Sequence, residues 1–147
     1  MKAIIKKRPV PGQKWYEGLE IKEKPEPQIT KDDEVKIKVL AASICGTDVS
    51  IYKGTLALQD SMANNILDEV IIGHEFCGQI EEAGISACKE IVNKLYSQSF
   101  NDPKITDFLL NNKKDELVNN PELLNFLKDN FYVTAEMHIV CWQCHQC

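Results

Sequence analysis

The sequence lacks a surplus of positive charge. Its 147 residues include 17 Lys and Arg against 22 Asp and Glu, which gives a formal net charge of −5. Proteins that bind nucleic acids neutralise phosphates with clustered basic side chains. We therefore expect no nucleic-acid partner. The composition, 44% hydrophobic and 27% charged, is instead that of an ordinary globular protein, long enough for one domain with a core.

Long hydrophobic runs are also missing. The apolar run near the amino end extends only from Ala3 to Ile5, which is too short for the core of a signal peptide. No segment approaches the roughly 20 apolar residues of a membrane-spanning helix. We expect a cytoplasmic protein without membrane association. In that reducing compartment, the six cysteines are expected to be metal ligands or buried thiols rather than disulfides.

A dinucleotide-binding fingerprint is absent as well. None of the seven glycines forms a G-x-G-x-x-G motif, and strands do not alternate with helices in a βαβ pattern. We therefore expect no nucleotide-binding Rossmann domain within this chain.

What is present divides into a strand-rich part and a helix-rich part. Short β-type runs cover "KAIIKK", "LEIKEK" and "EVIIGHEFCGQIEEAG", the last interrupted by Gly73. "EVKIKVLAASI" alternates apolar and polar residues and predicts a half-buried strand. After Cys45, "GTDVSIYKG" predicts a short helix with Thr47 or Asp48 near its cap. "FYVTAEMHIV" returns to β character before the terminal cysteines.

Residues 85–130 carry helical signals. "DPKITDFLLNN" places Asp102 as a cap before Pro103, and "NPELLNFLKDN" repeats the device with Asn120 and Pro121. A further helix is expected to begin near Ser86. We interpret the apolar faces of these helices as core rather than as a cofactor site.

Cys45, His74 and Glu75 form a possible metal-ligand set. A thiolate, an imidazole and a carboxylate suit zinc, and three protein ligands leave a fourth position open for water or substrate. Neighbouring strand residues point to opposite faces, so His74 and Glu75 can face one metal only where the backbone bends. Gly73 allows such a bend. The alternatives are a buried histidine with ordinary hydrogen bonds and a "TD" pair that only caps a helix.

Cys141, Cys144 and Cys147 close the sequence at C-x-x-C-x-x-C spacing. This spacing fits a zinc site and also the opening of a ferredoxin iron–sulfur motif, and the triplet alone leaves the two nearly even. With "CGTD" and "GHE" upstream, zinc is favoured. We interpret Cys77 and Cys88 as small buried thiols, the commonest form of a free cysteine.

The segments "KVLAASICGTDVSIY", "IIGHEFCGQI" and "TAEMHIVCWQCHQC" together resemble the catalytic domain of the zinc-dependent medium-chain alcohol dehydrogenases. Within that superfamily the chain is most similar to the L-threonine 3-dehydrogenases. The resemblance implies a mainly β fold with helices (α+β), a GroES-like, partly open β-barrel. It covers residues 1–84 and 131–147, so residues 85–130 are expected to be a helical insertion.

The resemblance also implies functional roles. Cys45, His74 and Glu75 would surround a catalytic zinc, and Cys141, Cys144 and Cys147 would hold a structural zinc. Thr47 would bridge the alcohol oxygen to a proton relay, and Asp48 would support the zinc-bound histidine. His138 would line the active site. Ser50 stands where the family commonly has a proton-relaying histidine, and a hydroxyl cannot hold the charge near pH 7.

The leading hypothesis is that the chain is a catalytic-domain fragment of an NAD- or NADP-dependent dehydrogenase. The intact enzyme would oxidise a secondary alcohol, best assigned as L-threonine, to 2-amino-3-oxobutanoate. The nicotinamide cofactor would not be bound by this fragment, which alone should be inactive, and a homo-oligomer is expected only for the intact protein. The alternative hypothesis is a stand-alone zinc-binding or interaction module without catalysis.

Overall fold

In the described part of the chain, strands predominate before residue 84 and helices after it, with helix α1 (Gly46–Lys53) between the third and fourth strands. The computed structural model describes residues 1–57, 59–60, 68–98, 102–118 and 121–135. Within them the chain forms two compact units, one containing Met1–Glu26 and Ala41–Phe76, the other containing Pro27–Leu40 and Cys77–Val133. The predicted α+β class is confirmed. The predicted division into residues 1–84 with 131–147 and an insertion at 85–130 stays a prediction.

A three-stranded sheet belongs to the first unit. Its strands are β1 (Lys2–Lys7), β2 (Leu19–Glu23) and β4 (Glu69–Ile71), in the order β2-β1-β4 with antiparallel neighbours. The register pairs Ile4 with Ile21 and Ile5 with Ile71. Ile5 is fully buried, so one face of the central strand lies in the interior. These strands confirm the β-type patterns of the amino-terminal sequence.

The other sheet pairs β3 (Val35–Ser43) with β5 (Glu75–Ala83). Lys36 on β3 forms ion pairs with Glu81 and Glu82 on β5, at 3.3 and 3.0 Å. The prediction that β3 is half-buried was wrong, since Val35 and Val39 are 38% and 54% exposed and, of the three alternating apolar residues, Ile37 alone is partly buried. The alternating pattern specifies which side chains share a face, but burial also requires a second layer over that face. In the described part of the chain, no second layer of residues covers the side chain of Val39 completely.

Helices fill the chain after β5. They are α2 (Ile85–Gln98), α3 (Pro103–Asn111), α4 (Lys114–Leu117) and α5 (Pro121–Asn130). The carboxylate of Asp102 accepts the Lys104 backbone N–H at 2.8 Å, and Pro103 occupies the first turn of α3, as predicted. The predicted cap residue of α5, Asn120, lies outside the described residues. None of the helices in the described part combines the length and apolarity needed to cross a membrane.

These helices and β5 build a hydrophobic core in the second unit. Leu117 and Leu123 are fully buried, and Val92 is 1% exposed. The stacked rings of Phe108 and Phe126, 3.8 Å between centroids, pack against the same cluster. The core residues are Ile80, Cys88, Val92, Leu95, Ile105, Leu109, Leu117, Leu123 and Leu127. The interpretation of the apolar helix faces as core is therefore confirmed.

The two cysteines interpreted as buried thiols differ from each other. Cys88 is buried in the core, and burial raises the pKa of its thiol. Cys77 is exposed, so that interpretation was wrong for this residue. The reason is the alternation of β5, which buries Gly78 and Ile80 on one face and turns Cys77 to the other. Further along, Val133 pairs with Gly78 in an isolated β-bridge, in line with the β character predicted there.

An ion-pair network crosses the three-stranded sheet. The carboxylate of Glu69 on β4 binds Lys22 at 2.8 Å and also binds Lys24. Hydrogen bonds from Lys22 and Lys24 lower the pKa of Glu69 from its ordinary 4.5 to about 2. A depressed carboxyl pKa stabilises the folded state fully above pH 4.5, and that stabilisation is lost as the pH falls through about 2.

We predict that Glu69→Gln lowers the free energy of unfolding at pH 7 and that its deficit against wild type shrinks as the pH falls from 4.5 towards 2. Urea denaturation at several pH values measures both. Glu23→Gln is the matched control on the same sheet, because this carboxylate is 71% exposed and lies 3.8 Å from the terminal ammonium. A deficit of the same size at pH 7 and pH 2.5 would contradict the role assigned to Glu69.

Candidate metal centre

Cys45 and His74 lie in direct contact. The Sγ of Cys45 is 2.9 Å from the Nε2 of His74, although the two residues are 29 positions apart. Cys45 is the N-terminal cap of α1 (Gly46–Lys53), and its sulfur accepts the Thr47 backbone N–H at 3.2 Å. His74 directly precedes β5. The amino end of α1 and the turn before β5 therefore bring the thiol of Cys45 and the imidazole of His74 together.

Asp48 joins the segments that carry these two side chains. It is 4% exposed. Its Oδ2 accepts the backbone N–H of Cys45 at 3.0 Å, and its Oδ1 accepts the backbone N–H of Gly73 at 3.2 Å. The same Oδ1 lies 3.6 Å from Nδ1 of His74. One buried carboxylate thus fixes the backbone on both sides of the thiol–imidazole contact.

The three side chains have the chemistry of a metal site. Ligand atoms of Cys45, Asp48 and His74 all lie within 4.8 Å of one another. The carboxylate faces Nδ1 of His74, which favours the tautomer with the proton on Nδ1 and leaves the Nε2 lone pair directed at the sulfur. A thiolate and a neutral imidazole nitrogen are ordinary zinc ligands.

The sulfur and the nitrogen are slightly closer together than zinc requires. Tetrahedral zinc with usual bond lengths would hold Sγ and Nε2 about 3.5 Å apart. The observed distance is 2.9 Å, so the two atoms would separate by about 0.6 Å on binding the ion. The residues present therefore fit the ion, with Cys45 and His74 as ligands and Asp48 positioned behind the imidazole.

Gly73 supplies the predicted backbone bend. Its φ is +100°, in the region that favours glycine, and it lies between β4 and β5. Glu75, on the far side of the bend, is exposed, and its carboxylate accepts the Ser43 hydroxyl at 2.5 Å. Glu75 is therefore not in the group formed by Cys45, Asp48 and His74, and its assignment as a metal ligand stays a prediction.

The remaining predicted site residues divide into two sets. Thr47 is exposed in the first turn of α1, and Ser50 is half-buried one turn later. His138 and the cysteines at 141, 144 and 147 lie outside the described residues, so their roles stay predictions. The sequence analysis missed Ser43, whose only signal was its position at the end of β3, two residues before Cys45.

Comparison with known proteins gives one family and several relatives. The profile of the alcohol dehydrogenase GroES-like domain matches residues 31–95. An L-threonine 3-dehydrogenase of Protochlamydia amoebophila is 46% identical over 84 residues, 57% of this chain and 22% of its own length. An L-threonine 3-dehydrogenase of Bacillus licheniformis is 32% identical over all of this chain and 29% of its own length.

The chain is much shorter than the relatives that it matches. The chain spans less than a third of either relative. An uncharacterized zinc-type alcohol dehydrogenase-like protein of Bacillus subtilis is 34% identical over 77 residues, 50% of this chain and 18% of its own length. No solved structure matches.

We predict that Gly73→Ala weakens zinc binding about five- to thirtyfold, because an L side chain resists a φ of +100° and about 1–2 kcal/mol of strain would be relieved by moving His74. Gly12→Ala is the matched control, since Gly12 has φ +92° and, like Gly73, has open space where a Cβ would lie. Both variants should lose similar stability in thermal unfolding. Equal zinc affinity for the two variants, measured by calorimetric titration, would show that the bend does not position His74.

Proposed function

We propose that the chain, whose residues 31–95 match the alcohol dehydrogenase GroES-like domain, is the zinc-binding catalytic part of a dehydrogenase that oxidises a secondary alcohol. The observation that carries the proposal is the 2.9 Å contact between Cys45 and His74 with the buried Asp48 behind it. In the intact protein, NAD or NADP would accept the hydride, bound by residues outside this chain.

The metal would be held by the Cys45 thiolate and by Nε2 of His74. Zinc at this position would supply a Lewis acid that lowers the pKa of an alcohol. Asp48, 3.6 Å from Nδ1 of His74, would orient the imidazole as a ligand. The backbone N–H groups of Cys45 and Gly73 balance the charge of Asp48.

Thr47 and Ser50 offer a route for the alcohol proton. They are three residues apart on α1 and therefore lie on one face of the helix, with Cβ atoms about 5–6 Å apart. Thr47 is exposed in the first turn of α1, two residues after Cys45, and its hydroxyl would contact the substrate oxygen. Ser50 can pass the proton to water but cannot store it, which differs from a histidine at this position.

The proposed substrate is L-threonine, whose oxidation at the hydroxyl-bearing carbon gives 2-amino-3-oxobutanoate. The support is that two relatives, at 46% and 32% identity, are L-threonine 3-dehydrogenases. A second candidate is a zinc-binding interaction module without catalysis. It is favoured by the separate hydrophobic core of the helical region and by Ser50 in the relay position.

Zinc binding is tested by the reactivity of individual cysteines. We predict that zinc slows alkylation of Cys45 by iodoacetamide at least tenfold and leaves the exposed Cys77 unaffected. Peptide mass spectrometry measures both sites in one sample, and Cys88 should be protected with and without metal by burial. Cys141, Cys144 and Cys147 are replaced by Ser in this experiment, so that they do not compete with Cys45 for the metal. Equal alkylation rates for Cys45 with and without zinc would remove the basis of the proposal.

Catalysis is tested in a chimera in which this chain replaces the matching residues of the Bacillus licheniformis relative. We predict that the chimera oxidises L-threonine and that Asp48→Asn lowers kcat/KM about 10- to 100-fold, the usual cost of losing the residue that orients a metal-bound histidine. Asp102→Asn is the matched control, because this carboxylate also accepts a backbone N–H at a helix start but lies in the second unit. A chimera that binds zinc without oxidising any secondary alcohol would favour the interaction module.

A further inference from the structure

The carboxyl end of α1 is completed by a side chain from a distant segment. Helices leave their last carbonyl groups without partners inside the helix. In α1, the Ser50 carbonyl accepts the backbone N–H of Gly54 at 2.9 Å. The next carbonyl, that of Ile51, accepts the indole N–H of Trp15 at 2.5 Å, from 36 residues away in the sequence. Trp15 therefore caps the helix whose other end carries Cys45.

The indole ring also packs directly on the helix end. Gly54 follows the last residue of α1 with φ +68°, and a Cβ at this position would overlap the ring of Trp15. Glycine is therefore required here both for the left-handed conformation and for the approach of the ring. One residue further along, Tyr16 lies 6.2 Å from Tyr52 of α1, between ring centroids. The segment around Trp15 contacts α1 through two aromatic side chains.

Trp15 is itself held from the central strand. The ammonium group of Lys6 on β1 lies 4.6 Å from the indole centroid, and it donates a hydrogen bond to the Lys7 carbonyl at 2.6 Å. Lys6 is fully buried in the fold, and this burial lowers its pKa. A buried cation over an indole face is attracted by the ring electrons. The indole is thus fixed between the sheet and the helix.

The short helix connects this contact to the metal centre. α1 has eight residues and is about 12 Å long. Cys45 caps its amino end, and Asp48 lies in its first turn. Because an intact helix moves as a rigid rod over this length, fixing the carboxyl end restricts the position of the thiol and the carboxylate. Cys45, Asp48, His74, Trp15 and Lys6 all belong to one compact unit.

We propose that Trp15 is a positioning residue for the Cys45–Asp48–His74 cluster, acting through α1 by its hydrogen bond to Ile51 and its packing on Gly54. The proposal deepens the proposed function and rests on it where metal affinity is concerned. Trp15 touches neither metal nor substrate. It is in a segment that carried no functional motif in the sequence.

The test compares Trp15→Phe with Ile5→Val in the background that lacks the three terminal cysteines. Phenylalanine keeps a ring over Gly54 but removes the donor to the Ile51 carbonyl. Ile5→Val is the matched control, because Ile5 is fully buried on β1, beside Lys6, and its truncation lowers stability without touching α1's cap. We expect Trp15→Phe to weaken Co²⁺ binding about fivefold, the effect of losing one hydrogen bond, with Ile5→Val close to the parent protein. The thiolate-to-cobalt absorption reports binding at Cys45.

A second measurement does not require metal. The backbone N–H groups of Cys45 and Gly73 both donate to Asp48, so their hydrogen exchange reports the order of the cluster. We expect both to exchange about fivefold faster in metal-free Trp15→Phe than in Ile5→Val.

The outcomes separate the two proposals. If the parent protein binds Co²⁺ and the two variants match in affinity and exchange, the positioning role of Trp15 is overturned and the metal site stands. If the parent protein binds no Co²⁺, the proposed function is overturned, and the exchange comparison alone decides whether Trp15 orders the cluster.

Discussion

The carboxylate of Asp48 is the constraint on which the candidate site depends. Its two oxygens accept backbone N–H groups from Cys45 and from Gly73, which are distant from each other in the sequence. A buried carboxylate without such donors would cost several kcal/mol. The arrangement that lowers the free energy of the buried Asp48 carboxylate is therefore the one that brings the amino end of α1 against the turn before β5. The contact between thiol and imidazole is a consequence of that arrangement.

Local signals predicted the elements of the fold, and non-local packing decided their burial. The Asp102–Pro103 and Gly73 signals gave a helix start and a bend because capping and positive φ depend on a few neighbouring residues. Val39 has the alternation of a half-buried strand but is 54% exposed. Cys77 shows the same limit. Which face of β5 is covered depends on segments far along the chain, which alternation does not describe.

The sequence predicted which residues form the candidate site but not all of the contacts around it. Spacing and resemblance together identified Cys45, Asp48 and His74, and these three lie within reach of one metal ion. Glu75 follows His74 directly, yet its carboxylate binds the Ser43 hydroxyl, because the side-chain direction after the bend depends on the backbone path. Trp15 could not be found from its own segment. Its contact with α1 is made at the carboxyl end of that helix, far from Trp15 in the sequence.

The charges of the cluster explain why a divalent cation suits it. The group contains two acids, Cys45 and Asp48, and one histidine. With both acids ionised, two negative charges no more than 4.8 Å apart would repel by at least about 3 kcal/mol at the effective dielectric constant of a site near the protein surface. Two backbone N–H groups offset this repulsion for Asp48, whereas among the described residues the sulfur of Cys45 contacts the Thr47 N–H and the imidazole. A cation beside the sulfur reverses the sign of this interaction. The hydrogen bonds of Asp48 thus hold the backbone so that the Cys45 sulfur faces Nε2 of His74. A cation at that position would offset the negative charge of the cluster.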